Sequence, residues 1–203
     1  MELFHIHRLN QFDSDFHEGN TVIFGTEPNA LRLSYMKRTC TMPEVEGIVD
    51  GKEKVVHRDL EDFMDYEMIA GLPKEKQIEL LDTIRRYIHN TKIDNREIIL
   101  EDVRRELFPD RVSRYTCAWL TDEQFLEGWV QELTVKNDPI EIYRVDIDGN
   151  LFMSSDSLLP DMYLPSHMMY NQAIDYWNPS PIYLNQGREY LFEGKMNLVE
   201  RVR

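Results

Sequence analysis

The segment 111–129 limits the fold of this chain more than any other, because two kinds of periodicity meet in it. Its first residues, RVSRYTCAW, alternate with period two, which predicts a β-strand. Thr121 is then predicted to be a helix N-cap, and Gln124 three residues later completes a capping box. An apolar stripe at helical spacing runs from Phe125 to Leu133. The segment therefore predicts a strand that passes through a capped turn into an amphipathic helix.

Strand patterns occur near both ends of the chain. Alternation with period two predicts strands over 2–9, 21–25, 139–148, 150–154, 188–192 and 195–202. Asp148 and Gly149 predict a hairpin turn, and Glu193 and Gly194 are predicted to separate the last two strands. We therefore expect short strands joined by turns in the last third of the chain.

The middle third is predicted to be mostly helical. Apolar residues three and four apart predict helices over 53–69, 73–90 and 97–107, and a further helix over 165–177. Glycines and a proline within 42–54 predict a loop. Because helices are inserted among strands but do not follow each strand, we expect an α+β fold with a mixed, mainly antiparallel sheet. The prediction is a single domain over 1–203, with 53–107 as a helical insertion or flanking layer.

Composition and charge limit the classes of partner. The chain has 203 residues, of which 42% are hydrophobic and 11% aromatic, enough for a real core. Its formal net charge of −14 at pH 7 is repelled by phosphate backbones, which disfavours nucleic acid as a partner. A local basic pocket could still hold a small phosphate ligand.

The sequence also bears on location. No segment approaches the roughly 18 apolar residues that a membrane span needs, so we expect no membrane insertion. The first residues, MELFHIHRLNQ, carry an acid at position 2 and no long apolar run, which argues against a signal peptide. Cys40 and Cys117 are far apart and lack metal-binding spacing. We therefore expect a cytoplasmic protein with two reduced cysteines.

Two histidines share one face of the first predicted strand. His5 and His7 could line a ligand pocket, hold a metal ion, or lie half-buried on an edge strand. A zinc site needs further ligands at compatible positions, and the HxH pattern alone does not supply them. We therefore predict no metal site, although a metal-dependent hydrolase using His5 and His7 stays open as a third functional alternative.

Four segments of this chain resemble an uncharacterised bacterial and phage domain family. The segments are FHIHR at 4–8, SRYTCAWLTDE at 113–123 with Trp129, AIDYW at 173–177 and REYLFEG at 188–194. Val112 stands where the family pattern has a proline, and the resemblance leaves 29–95 unexplained. The order of the segments also resembles the ADP-ribosyltransferase fold, in which a first strand carries His or Arg and a late strand carries a glutamate.

The resemblance implies a domain that binds NAD and transfers ADP-ribose to an unknown target. Glu189 would be catalytic, because a carboxylate stabilises the oxocarbenium-like centre formed when the nicotinamide–ribose bond breaks. Arginine can bind a phosphate bidentately, and aromatic rings can stack on nicotinamide. The residues implied to bind NAD are His5, His7, Arg8, Arg114, Tyr115 and Trp119.

Other interpretations of the same residues stay open. Glu189 beside Arg188 could form an ordinary surface pair, Arg114 could be a structural arginine, and the tryptophans could be core residues. The acidic composition also suits a non-catalytic protein-interaction module of phage or mobile-element origin. The transferase hypothesis predicts that His5, Arg114 and Glu189 converge on one cleft.

Overall fold

The computed structural model describes residues 1–9, 15–30, 32–33, 44–49, 52–57, 70–134 and 139–203, with the backbone alone for 44–49 and 52–57. The contacts divide the chain into two compact units. The larger unit comprises Met1–Arg32 and Arg96–Arg203, and the smaller unit is Leu33–Asn95. All of the candidate site residues belong to the larger unit. The arrangement of a single domain with 53–107 as an insertion or flanking layer stays a prediction.

The described residues contain seven strands and three α-helices of twelve or more residues. The strands are β1 (Leu3–Arg8), β2 (Thr21–Phe24), β3 (Glu44–Val49), β4 (Lys52–His57), β5 (Ala118–Asp122), β6 (Ile140–Ser155) and β7 (Arg188–Arg201). The helices are α1 (Lys74–Leu107), α2 (Glu123–Thr134) and α3 (Ser166–Trp177). Short 3-10 helices lie at Asp156–Leu158 and Tyr183–Asn185. None of the helices described is long and apolar enough to cross a membrane.

Five strands form one antiparallel sheet in the order β2-β7-β5-β1-β6. Strand β6 also pairs with β7, so the ladder of β7, β5, β1 and β6 closes on itself. The smaller unit contains a separate two-stranded sheet of β3 and β4. The predicted α+β class with a mainly antiparallel sheet is therefore confirmed, and the likeness to the ADP-ribosyltransferase fold stays a prediction.

The turns predicted at Gly149 and Gly194 are wrong. The two glycines face each other within the long pairing of β6 with β7, which runs from Tyr143 opposite Arg201 to Ser155 opposite Arg188. A Cβ on either glycine would lie 2.8 Å from the other glycine's Cα. Here glycine is needed for close approach of two backbones, which produces the same sequence signal as a turn.

Five other local predictions need correction. The loop predicted over 42–54 and the helix predicted from residue 53 are wrong where β3 and β4 form, and 58–69 lies outside the described residues. The helices predicted over 73–90 and 97–107 are one continuous helix, α1, whose sequence has no glycine or proline to interrupt it. The strand predicted from residue 112 begins only at Ala118, and Thr121 lies inside it, so Thr121 is not an N-cap.

Two hydrophobic cores lie on opposite faces of β7. Leu191 belongs to a core shared with α1 and α3, which we call the helix-side core, and it includes Phe152, Tyr176 and Trp177. Tyr190 and Phe192 belong to the inner core, whose other buried members are Leu3, Ala118, Leu120, Tyr143, Val145, Met196 and Leu198. Because strand side chains alternate, Glu189 and Glu193 share the face of Leu191.

Candidate functional site

Arg114 is positioned by the loop that precedes β5. The carbonyl oxygen of Ser113 accepts hydrogen bonds from the backbone N–H groups of Thr116 and Cys117, which closes a turn around Arg114. The side-chain amide of Asn29 donates to the carbonyl oxygens of Arg114 and Cys117, at 2.8 and 3.1 Å. Asn29 is itself buried, so the turn is fixed from within the fold.

The Arg114 guanidinium lies in a buried polar network. Its Nε and Nη2 donate to the two carboxylate oxygens of Glu97, at 2.8 and 3.4 Å. Its Nη1 donates to the hydroxyl oxygen of Tyr176 and, at 3.0 Å, to Oε1 of Glu189. The Tyr176 hydroxyl donates in turn to the same Glu189 oxygen, at 2.6 Å. Helix α1, helix α3 and strand β7 thus each contribute one partner to a single arginine.

The electrostatics of this network keep Arg114 and Glu97 charged. Burial alone would raise the pKa of Glu97, but the charge and hydrogen bonds of Arg114, with a smaller effect of Arg96, lower it below its usual value. Burial would lower the pKa of Arg114, but Glu97, Tyr176 and Glu189 raise it further above its usual range. Burial, followed by the charge of Glu189, also raises the pKa of Tyr176. The guanidinium therefore stays charged and the phenol stays neutral.

Glu189 is placed to hold Arg114 and has little surface to offer to a ligand. Both Glu189 and Arg114 are 5% exposed. The pairing of Glu189 with Arg188 that was left open is not formed, because Arg188 donates to Asp122 instead, at 2.9 Å. The interpretation of Arg114 as a structural arginine agrees with this geometry. The catalytic role of Glu189 stays a prediction that would require the network to open.

The aromatic residues predicted to stack on nicotinamide flank the same loop. The ring of Tyr115 is covered by the guanidinium of Arg32, with 4.2 Å from Cζ to the ring centroid. The ring of Trp119 packs against the helix-side core, 5.7 Å from the Cζ atom of Arg114. Both residues are half-buried. They lie near Arg114 in packed positions, and their stacking on nicotinamide stays a prediction.

His5 lies in a separate aromatic cluster on β1. Its Nδ1–H donates to the carbonyl oxygen of Trp119 at 3.0 Å. Its ring lies 5.3 Å from that of Phe16, 5.9 Å from that of His7 and 6.5 Å from that of Phe24, measured between centroids. Burial, with a smaller effect of His7, lowers the pKa of His5 to about 4, although the hydrogen bond to Trp119 opposes the shift. His5 is therefore neutral at physiological pH.

His7 and Arg8, the other two β1 residues implied to bind NAD, lie close to His5 on the strand. His7 is buried and its ring stacks on Phe16, with centroids 3.8 Å apart. Arg8 is half-buried at the end of β1, opposite Ile140. Among the described residues, no group of three or more His, Cys, Asp or Glu side chains is arranged to hold a metal ion.

The structure brings together only two of the three residues expected in one cleft. Arg114 and Glu189 form an ion pair in the helix-side region, through Tyr176. His5 contacts Phe16 and Phe24, which pack against the inner core on the other side of the sheet. Trp119 contacts both groups, because its carbonyl oxygen accepts from His5 and its ring lies 5.7 Å from the Cζ atom of Arg114.

A cavity of about 620 Å³ opens beside the Arg114 loop. Residues from the end of α1, from the loop 109–116, from the β2 end and from the β6–β7 ladder line it. Its charged residues are Glu101, Arg104, Arg105, Asp110, Arg111 and Glu193. This size is within the range of small-molecule sites, which is roughly 300–1,000 Å³.

The charged residues of the cavity differ in how fully they are paired. Glu101 is buried and accepts hydrogen bonds from Arg104, Arg105 and Ser113. Arg104 also donates to two carbonyl oxygens of the loop 109–111, so it is a structural residue. Arg111 is exposed, its Cζ atom lies 4.9 Å from the ring centroid of Phe152, and it forms no ion pair among the described residues.

Sequence reasoning missed Arg111 and Glu193, although both lie in segments that it examined. Alternation along β7 places Glu193 on the same face as Glu189, so the signal for Glu193 was present. It was overlooked because Glu193 and Gly194 were interpreted as a turn. Arg111 carried no pattern of its own, since one exposed arginine before a strand is an ordinary feature.

No match was found among curated proteins. A family model described as protein of unknown function, DUF2441, matches residues 3–203. This agrees with the predicted resemblance to an uncharacterised domain family and covers nearly all of the chain, so the chain belongs to the DUF2441 family.

Proposed function

We propose that this chain is an ADP-ribosyltransferase-like domain that transfers ADP-ribose to a protein target and binds NAD in the cavity beside the Arg114 loop, rather than in a cleft shared by His5, Arg114 and Glu189. The observation that carries the proposal is the cavity itself. Two of the four segments that resemble the family contribute to its lining, through Ser113 and Glu193. A size of about 620 Å³ suits a nucleotide better than a metal ion or a small inorganic anion.

Arg111 is the residue best placed to bind the NAD pyrophosphate. Arg111 is exposed, its guanidinium lies over Phe152, and it has no carboxylate partner among the described residues, so phosphate oxygens can take its hydrogen bonds. Arg105 is the second candidate, because its side chain is 63% exposed although it donates to Glu101. Arg104 contributes indirectly by shaping the loop that presents Arg111.

In the proposed reaction the bond between nicotinamide nitrogen and ribose C1′ breaks, and its electron pair leaves with nicotinamide. A nucleophile on the target then bonds to C1′ and releases its proton to solvent or to a carboxylate. A carboxylate near C1′ stabilises the positive charge of the transition state. Glu189 is too buried to act on C1′ in this geometry, and its part in the proposal is to hold Arg114 and the loop 111–116.

Calorimetry with NAD tests the proposal. We expect binding to the wild type, at least tenfold weaker binding to Arg111→Met, and unchanged binding to Arg144→Met. Arg144 is a matched control because it pairs with Glu200 near the protein surface and does not line the cavity. Absence of heat at millimolar NAD, or equal effects of the two substitutions, would refute the proposal.

A second candidate is the non-catalytic acidic interaction module. It is favoured by the balance of the cavity, in which three arginines face three carboxylates, and by the net charge of −14. This candidate predicts that NAD does not bind and that the thermal midpoint is unchanged by NAD. The same calorimetric titration therefore separates the two functions.

A further inference from the structure

Glu193 and Glu189 lie on the same strand, β7, but Glu193 lines the cavity whereas Glu189 is buried. Both carboxylates lie on the helix-side face of β7, with Leu191 between them. Four residues along a strand span about 13 Å, so the two glutamates cannot serve the same ligand atom. Glu189 is covered and paired, whereas Glu193 is half-buried and lines the cavity.

The Glu193 side chain has close neighbours on two sides, Asn150 at its carboxylate and Gly25 at its Cβ. Asn150, directly opposite on β6, donates from Nδ2 to Oε1 of Glu193 at 3.0 Å. On the other side Gly25 comes so close that an added Cβ would lie 2.9 Å from the Cβ of Glu193. Oε2 of Glu193 accepts no hydrogen bond from the described residues. One carboxylate oxygen is thus fixed by Asn150, and the other lies beside Gly25, which also lines the cavity.

We propose that Glu193, oriented by Asn150, binds sugar hydroxyl groups of a phosphate-bearing ligand and so selects ribose over deoxyribose. The inference rests on the proposed nucleotide site, because it needs the phosphate to be held by Arg111 in the same cavity. A carboxylate accepts hydrogen bonds from adjacent hydroxyl groups but repels phosphate, so Glu193 must face the sugar. The ligand class is therefore a nucleotide that carries both a phosphate group and a vicinal diol.

Three probes separate the sugar contacts of Glu193 from the phosphate contacts of Arg111. They are ADP-ribose, its analogue lacking the hydroxyls of the adenosine ribose and of the terminal ribose, and inorganic pyrophosphate. We expect the wild type to bind ADP-ribose at least tenfold more tightly than the deoxy analogue. In Glu193→Gln this preference should fall below about threefold, because a hydrogen bond to a charged acceptor is lost. Pyrophosphate binding should be unchanged or stronger, since a negative charge is removed.

Two further variants complete the design. Glu200→Gln is the matched control, because Glu200 is an exposed glutamate on the same strand that pairs with Arg144. Asn150→Ala should reduce the preference for the diol without abolishing pyrophosphate binding. Circular dichroism should give the same folded spectrum for each variant, since the substituted side chains are exposed or half-buried.

The outcomes distinguish this inference from the proposed function. If Glu193→Gln keeps the full preference for the diol while Arg111→Met abolishes binding, the role of Glu193 is overturned and the nucleotide site stands. If the wild type binds neither ADP-ribose nor pyrophosphate, both proposals are overturned. If the preference is lost in Glu193→Gln and retained in Glu200→Gln, both are supported.

Discussion

Replacing Arg114 with methionine removes the cation shared by three buried groups. Glu97 and Glu189 would each keep a negative charge in a region closed to water, and the Tyr176 hydroxyl would lose a donor. Methionine fills much of the volume of arginine, so the change tests charge and hydrogen bonding more than packing. We expect a large loss of stability with little change in the fold.

The magnitude follows from the number of groups left unpaired. Removing one partner of a buried ion pair costs about 3–5 kcal/mol, because the other charge stays buried without compensation. Arg114 has two such partners, so the upper end, about 5 kcal/mol, is expected. An exposed pair is worth about 0–1 kcal/mol, and Arg144→Met, which breaks the pair with Glu200, is the matched control.

Urea denaturation followed by circular dichroism at pH 7 measures the free energy of unfolding of the wild type and of both variants. A triple variant, Arg114→Met with Glu97→Gln and Glu189→Gln, should recover a large part of the loss, since no charge is then buried alone. The deficit of the single variant should also shrink as the pH falls and the buried Glu97 carboxylate, without the charge of Arg114, takes up a proton. A loss below about 1 kcal/mol for Arg114→Met, or no recovery in the triple variant, would refute the structural role assigned to this network.

Three further predictions concern stability. His5 has a pKa of about 4 in the folded protein and 6.5 as a free group. The free energy of unfolding of the wild type should therefore fall by up to about 3 kcal/mol between pH 7 and pH 4, because the unfolded state binds the proton more tightly. Urea titrations of His5→Phe should lack this loss of stability. Burial, with the charges of Glu189 and Glu132, raises the pKa of Asp156 to about 6. The charged Asp156 therefore destabilises the folded protein above pH 6, and this destabilisation is absent below pH 3.8. Asp156→Asn should stabilise the protein by about 1 kcal/mol at pH 7.5, after allowance for solvent screening, and by nothing at pH 3.5. Gly149→Ala should cost more than about 1 kcal/mol in thermal unfolding, while Gly128→Ala, where an added Cβ meets no atom within 4 Å, should stabilise by up to about 1 kcal/mol; a stable Gly149→Ala would contradict the close pairing of β6 with β7.

Local periodicity determined a substantial part of the fold. The strands β1 and β2 and the helix α3 lie within about one residue of the predicted bounds, because alternation and helical spacing depend only on neighbouring residues. The α+β class followed from their order. Glycine signals were less informative, since Gly149 and Gly194 could serve a turn or a close strand pair, and only the pairing partner distinguishes the two.

The candidate site depended on contacts between residues far apart in the chain. Arg114 meets Glu97, 17 residues earlier, and Glu189, 75 residues later, and a sequence with 37 acidic residues gives no means of choosing between such partners. Alternation puts Glu189 and Glu193 on one face only if β7 is continuous, and the sequence predicted a turn at Glu193, so the pairing with β6 decided that both lie on one strand. The packing of α1 and α3 decided that Glu189 is buried beside Arg114 and that Glu193 borders a cavity. Burial depends on which elements cover a strand, and only the tertiary structure determines that.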